Sequence, residues 1–405
     1  MSRGKKTIPL NLKFGLRPTI IQRFAPVSPI SFYKLPFKEV KGWVAAVSPF
    51  LMRKACSLCP CILKATIEKE KLRRKKPVNF TPIEELFRVF DETANILQEE
   101  LDCTYLEALA ETGENIFHGD VIQDEVSELN RKHLLKHYGE ITITKYSKEE
   151  IRKSFQLAIL KGMQQNIQPN HQMTPDAVGM FVSYLVGKFM SKNISFTLLD
   201  PAVGTGNLLF TVMNHLTDKD VHAIGSDVDE TLIRLAYVGA NLQEQSVQFF
   251  NQDSLEPLFV DPVEIVVSDL PVGYYPNDVR AADYEMQADK GHSYSHHLFI
   301  EQSVRHIKDG GYLFFIVPNS IFESEQAPKL NSFVKSHTFI QGMVQLPLSL
   351  FKNEAAAKSI LILQKKKEGA QAPKNALLVS LPKMSNRQAM QTIMKDMDAW
   401  FKEEK

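Results

Sequence analysis

Cysteine is scarce in this chain, with four residues in 405. That excludes a disulfide framework and points to a reducing compartment, so a cytoplasmic setting is expected. Three of the four fall in Cys56-x-x-Cys59-x-Cys61. No fourth ligand follows at zinc-site spacing, so they read as incidental thiols and no metal is expected. Long apolar runs are missing too. No stretch reaches the roughly 18 apolar residues of a membrane span, and the run Trp43 to Met52 stops at Arg53-Lys54. No internal repeat stands out. Net charge of either sign is nearly absent at +1, but its distribution is uneven. Residues 1–78 hold 18 Lys/Arg against 3 Asp/Glu, a net of +15, while the remainder holds 30 against 44, a net of −14. A chain that grips long nucleic acid is expected to be basic somewhere. Three arrangements answer this: a local basic patch beside a cleft, affinity supplied by the first 78 residues, or a substrate other than long nucleic acid. Those residues carry eight prolines and end in Lys71-Leu72-Arg73-Arg74-Lys75-Lys76. They are expected to form a basic, poorly ordered extension.

What is present is concentrated in Leu198-Leu199-Asp200-Pro201-Ala202-Val203-Gly204-Thr205-Gly206-Asn207. It reads as an apolar strand, an acid, a glycine turn and a helix start. Glycines let backbone approach a ligand, and a helix start offers free N–H groups. A dinucleotide fingerprint would place a third glycine where Leu209 stands. An acid before the turn disfavours phosphate and suits a cation, such as the sulfonium and amino-acid end of S-adenosylmethionine.

Three further strands follow at intervals that fit a doubly wound sheet. Val221 to Asp227 reads as a second strand ending in an acid that accepts from ribose hydroxyls, with Asp229 capping the next helix. A third, Val247 to Phe250, leads into Asp253, Ser254 and Leu255. There an acid would take the amine of the donor's adenine and Leu255 would pack on its ring. A fourth, Glu264 to Ser268, delivers Asp269-Leu270-Pro271-Val272-Gly273-Tyr274-Tyr275-Pro276. Polar groups at four strand ends share the edge where such sheets bind ligands.

On these motifs, residues 170 to 365 resemble the class I methyltransferases that methylate exocyclic amines, above all the N6-adenine modification subunit of type I restriction systems and its stand-alone bacterial relatives. Gln172-Met173-Thr174-Pro175 is similar to the family's upstream donor segment, and Asp200 to Gly206 to its donor loop. Gly310 to Asn319, Leu346-Pro347 with Phe351, and Ser359 to Gln364 are similar to its last strands. The resemblance implies a Rossmann-like, mostly parallel seven-stranded sheet behind an all-helical domain. It implies S-adenosylmethionine as co-substrate, held by Thr174, Asp200, Ala202, Gly204, Gly206, Asn207, Asp227, Asp253 and Ser254. Nucleic acid, DNA before RNA, is the implied partner, with a separate specificity subunit as a second.

Amine-directed members carry an acid or amide, two prolines and an aromatic. The side-chain oxygen and the next backbone carbonyl accept the two amine N–H bonds, localising a nitrogen lone pair that is otherwise delocalised into the ring. The aromatic stacks on the extruded base. Here Asp269 takes the first place, the Leu270 carbonyl the second, and Pro271 is kept. Val272 stands where the aromatic is expected, leaving Tyr274 or Tyr275 as the stacking face. The same chemistry serves a ribosomal RNA base or a protein glutamine, and the altered motif also fits a donor-binding protein that has lost catalysis. No module of about 100 residues for reading a DNA groove is evident beside the catalytic half. Ser295-His296-His297 opens an apolar helix, but adjacent helical residues do not face each other, so the pair does not form a metal site.

Ahead of the sheet, Thr81-Pro82-Ile83-Glu84 is a capping box, with Leu86, Phe90, Ala94 and Leu97 on one helical face. A second helix is expected from Thr104 to Gly113, a third from Val121 to His137, and a fourth after Ser147 with Ile151, Phe155, Ala158 and Ile159 inward. Four regions are therefore expected: the extension (1–78), a helical domain (79–168), the catalytic domain (169–368) and a C-terminal strand and helix (369–405).

Overall fold

The structure, a computed structural model, describes residues 80–165 and 173–404. The basic extension with its three cysteines, and Gln172 of the upstream segment, lie outside the described residues.

The described residues open with four α-helices: α1 (Pro82–Leu101), α2 (Tyr105–His118), α3 (Glu128–Tyr138) and α4 (Lys148–Gln165). The Thr81 hydroxyl accepts from the Glu84 amide, and the Glu84 carboxylate accepts from the Thr81 amide at 2.9 Å. Such a box contributes about 1 kcal/mol by satisfying helix-end donors. Leu86, Phe90, Ala94 and Leu97 are fully buried against α2 and α4, as are Ala158 and, nearly, Ile151, Phe155 and Ile159.

Two boundaries differ from the sequence reading. Gly113 does not end α2, which runs to His118 and stops at Gly119 in the left-handed region. Gly113 is instead a contact point. A Cβ there would come within 2.2 Å of Val238 on α7 (Glu230–Leu242), so its missing side chain lets the two helices meet. Gly113→Val is expected to destabilise the protein by about 1–3 kcal/mol through overpacking, read as a lower denaturation midpoint. The segment read as the start of α3 is a loop, because Ser127 caps the helix with its hydroxyl on the Asn130 amide.

After α5 (Asp176–Phe189) comes an eight-stranded sheet with helices on both faces. Its strands are β1 (Ser195–Asp200), β2 (Asp220–Asp227), β3 (Val247–Asn251), β4 (Val263–Asp269), β5 (Ile307–Pro318), β6 (Thr338–Gln345), β7 (Lys358–Lys365) and β8 (Leu377–Ser380), in the order β3-β2-β1-β4-β5-β7-β6-β8. Only β7 is antiparallel to its neighbours. The eighth strand, one more than expected, is β8, which pairs parallel with β6. The C-terminal segment thus completes the sheet, and α10 (Arg387–Glu404) sends Met397 and Phe401 into the same core.

Side chains alternate between the two faces with the period of a strand. Ile265 and Val267 meet α5 and α6 (Asn207–His215) on one side, where Phe314 and Ile316 join them. Val266, Leu313, Phe315 and Val317 meet α8 (Ser295–His306) and α9 (Ala327–His337) on the other. Helix α7 is shared. Ile233 and Ala236 face the sheet, while Leu235, Val238 and Leu242 pack into the four-helix cluster. The lead-in helices are therefore continuous with the sheet's helical layer. Leu255, expected beside a ligand ring, is packed in the second core instead, because the chain turns inward after β3.

Candidate active site

The C-terminal ends of β1, β2 and β4 and the loop after β3 bring Asp200, Asp227, Asp269 and Asp253 to one edge of the sheet. Asp200 is almost wholly buried, and its Oδ1 accepts from the Ala202 amide at 3.1 Å and the Ser268 hydroxyl at 2.7 Å. Its second oxygen takes no hydrogen bond from the described residues. Burial pushes this carboxyl up to about 7; the two hydrogen bonds partly offset that, and the nearby Asp227 and Asp269 add to it. Gly204 and Gly206 both have positive φ, at 53° and 78°, which favours glycine. Asp227 secures the turn by accepting from the Gly204 amide at 2.8 Å and the Asp229 amide at 3.0 Å. Gly206 caps α6, and no side chain among the described residues takes that helix's first N–H groups.

Three residues expected around the donor have side chains engaged within the protein. The Asn207 side chain bridges the buried guanidinium of Arg152 on α4, at 2.6 Å, and the Thr174 carbonyl, at 2.9 Å. Arg152 also grips Asp176 with two bonds of 3.0 Å, tying the lead-in helices to the glycine turn. The Ser254 hydroxyl is buried on the Pro201 carbonyl at 2.6 Å. Thr174 donates its hydroxyl to Asp269 Oδ2 at 2.9 Å, so its side chain serves that acid.

Asp269 is held on both oxygens, by Thr174 and by Lys358, whose Nζ lies 2.6 Å from Oδ1. The Leu270 amide donates to the Ile316 carbonyl at 3.2 Å. In a parallel ladder the Leu270 carbonyl would then take the N–H of residue 318. That residue is Pro318, which has none. The carbonyl beside the acid is thereby left without a ladder partner.

The tyrosines separate. Tyr275 is buried, with its hydroxyl on Asp253 Oδ2 at 2.5 Å, and is corrected from a stacking candidate to a brace. Tyr274 is exposed, and its ring stacks on Tyr294 at 4.9 Å and 12°. Backbone explains the pair. The Tyr275 amide donates to Ser293 and the Ser295 amide to Gly273, so Tyr274 and Tyr294 face each other in a narrow antiparallel bridge. Gly273, with φ of 144°, supplies the turn.

The sequence and the fold resemble those of known proteins. Residues 165–402 match the N-6 DNA methylase family and residues 84–163 the YtxK N-terminal helical domain. The chain belongs to the N-6 DNA methylase family. It is accordingly an S-adenosylmethionine-dependent methyltransferase, with that compound as co-substrate. The Bacillus subtilis protein YtxK is 50% identical over 321 residues, 79% of this chain and 98% of its own. A solved Listeria monocytogenes structure, assigned to the class I S-adenosylmethionine-dependent methyltransferases, is 48% identical. It covers 79% of this chain and 99% of its own, with a TM-score of 0.74. The type I restriction-modification methyltransferase subunit of Streptococcus thermophilus shares the fold at 15% identity and a TM-score of 0.56, over 85% of this chain and 78% of its own.

In this methylase, sequence reasoning missed Lys358, Pro318 and Tyr294. A proline following an apolar strand was the one available signal for the free carbonyl. His296 and His297 are buried at the start of α8 with rings 4.8 Å apart, and burial pushes them down to about 3 and about 4. They are neutral at physiological pH, and His296 stands beside Tyr294 with ring centroids 5.1 Å apart. No group of three metal-ligating side chains occurs among the described residues. No described helix is long and apolar enough to cross a membrane.

Proposed function

We propose that this methyltransferase acts on the N6 amine of adenine in DNA. The observation that carries the reading is the end of β4, where the Asp269 carboxylate and the Leu270 carbonyl, which has no ladder partner, stand side by side next to Asp200. Two adjacent acceptors suit the two N–H bonds of a primary aromatic amine.

The donor fits the neighbouring edge. The free oxygen of Asp200 would take the ammonium of the amino-acid end, and the uncapped start of α6 its carboxylate. Ala202, Gly204 and Gly206 let that end approach the backbone. Asp227 would accept from the ribose hydroxyls. Asp253, whose oxygens already hold Tyr275 and the Leu255 amide, keeps lone pairs for the adenine amine. The bound donor supplies an electrophilic methyl group on a sulfonium. The residues do the rest: Asp269 and Leu270 orient the amine in line with that methyl and stabilise the positive charge growing on nitrogen. No general base is needed, because the proton leaves after transfer.

Tyr274 provides an exposed face backed by Tyr294, suited to an extruded base. Base–aromatic stacking contributes about 1–3 kcal/mol. Tyr274→Ala is thus expected to raise the substrate dissociation constant by about 10- to 100-fold and leave donor affinity unchanged. Unchanged substrate affinity would remove the tyrosine from the site. Membership of the N-6 DNA methylase family and the shared fold of modification subunits support DNA, with sequence choice lent by a specificity partner. The acid excess of residues 79–405 favours a second reading, in which an RNA base or a protein glutamine is the target.

One experiment separates the two. The protein is incubated with methyl-labelled donor and with DNA, RNA and protein fractions from cells lacking it. Label in DNA, recovered as N6-methyladenine, is expected; label confined to RNA or protein would defeat the DNA reading.

A further inference from the structure

Asp269 does not stand alone as an acceptor. Strand β7 runs antiparallel to β5, so its first residue, Lys358, pairs with Pro318, the last of β5. That register places a lysine at the edge where the parallel strands end. Its Nζ lies 2.6 Å from Asp269 Oδ1, and both side chains are about four-fifths buried. Thr174 holds the other oxygen. Each carboxylate oxygen keeps a lone pair, and an ammonium has three N–H bonds, of which Asp269 uses one.

We propose that Lys358 and Asp269 act as one recognition unit, an ion pair that presents an acceptor oxygen beside an N–H donor. The arrangement is the ionic equivalent of a carboxamide. It selects amines flanked by a hydrogen-bond acceptor, such as the N6 amine of adenine beside a ring nitrogen, and disfavours isolated aliphatic amines. The pair is nearly neutral, so the acid is held in place without adding uncompensated charge beside Asp200 and Asp227. This inference rests on Asp269 receiving the target amine, and it holds for any substrate class with that edge.

A double-mutant cycle tests it, using the full chain and whichever cell fraction the unaltered protein labels. Lys358→Met leaves the acid unpaired and removes the donor. Asp269→Asn leaves the lysine unpaired. Each is expected to lower kcat/KM by about 30-fold or more, whereas the double variant, an amide beside an apolar chain, returns to within about tenfold of the starting protein. Calorimetry with S-adenosylmethionine should give affinities within about threefold for all four proteins, separating a lost recognition unit from a lost fold. Losses that multiply in the double variant, or a Lys358→Met protein as active as the original, would overturn the proposal. Label in RNA or protein instead of DNA would end the DNA reading while leaving the cycle to be run on that fraction.

Discussion

Asp269→Ala is expected to slow methyl transfer by about a hundred- to a thousandfold while S-adenosylmethionine binds with undiminished affinity. The size follows from what the side chain does. A preorganised group aimed at developing charge costs no reorganisation at the moment of reaction, and losing one such group costs about 3–4 kcal/mol of transition-state stabilisation. Asp269 is preorganised by two bonds, from Thr174 at 2.9 Å and Lys358 at 2.6 Å, on a strand end paired to β5. Alanine would remove the acceptor and also leave Lys358 facing a nitrogen that becomes positive. Single-turnover transfer and calorimetry together check the claim. Near-normal transfer would show that the amine is held elsewhere; a matching loss of donor affinity would place Asp269 in the donor pocket.

Asp200→Asn should separate stability from function. The native carboxyl titrates at about 7 because it is buried, against 3.8 ordinarily. The folded state therefore holds its proton more tightly than the unfolded chain. Between pH 3.8 and 7 the folded form binds the extra proton, so stability falls as pH rises through that window. By pH 8 the cost is on the order of 4 kcal/mol. Asparagine keeps an oxygen for the Ala202 amide and the Ser268 hydroxyl and carries no charge to desolvate. The variant is expected to melt several degrees higher at pH 8, with the gap narrowing toward pH 5. It should also bind S-adenosylmethionine at least about tenfold more weakly, because a charge-assisted bond to the donor's ammonium is lost. A variant no more stable at pH 8 would show that the buried Asp200 charge costs the fold nothing. Retained affinity would remove Asp200 from the donor site.

The legible parts of the protein share a property: their signal is local. The capping box at Thr81 and Glu84 needs only four residues, and the structure forms it as read. Strands β1 to β4 were legible because each is a short apolar run closed by an acid and a turn. Gly204 and Gly206 announced a turn because their positive φ suits glycine. Misreadings arose where one residue type serves two ends. Gly113 looked like a helix stop, yet it is a close-approach point against Val238, a partner 125 positions away. Tyr274 and Tyr275 look alike in sequence. The strand period turns one outward against Tyr294 and the other inward onto Asp253.

The sequence by itself determined the helical lead-in, the doubly wound sheet and the row of acids along one edge, because periodicity and strand-end chemistry are written in neighbouring residues. Tertiary structure alone decided what those acids touch. Lys358 reaches Asp269 from 89 positions away only because β7 reverses direction. Arg152 reaches Asn207 only because α4 packs beside the glycine turn. Pairings between distant segments depend on register and on which helix faces share a core, and such long-range choices leave no period in the chain.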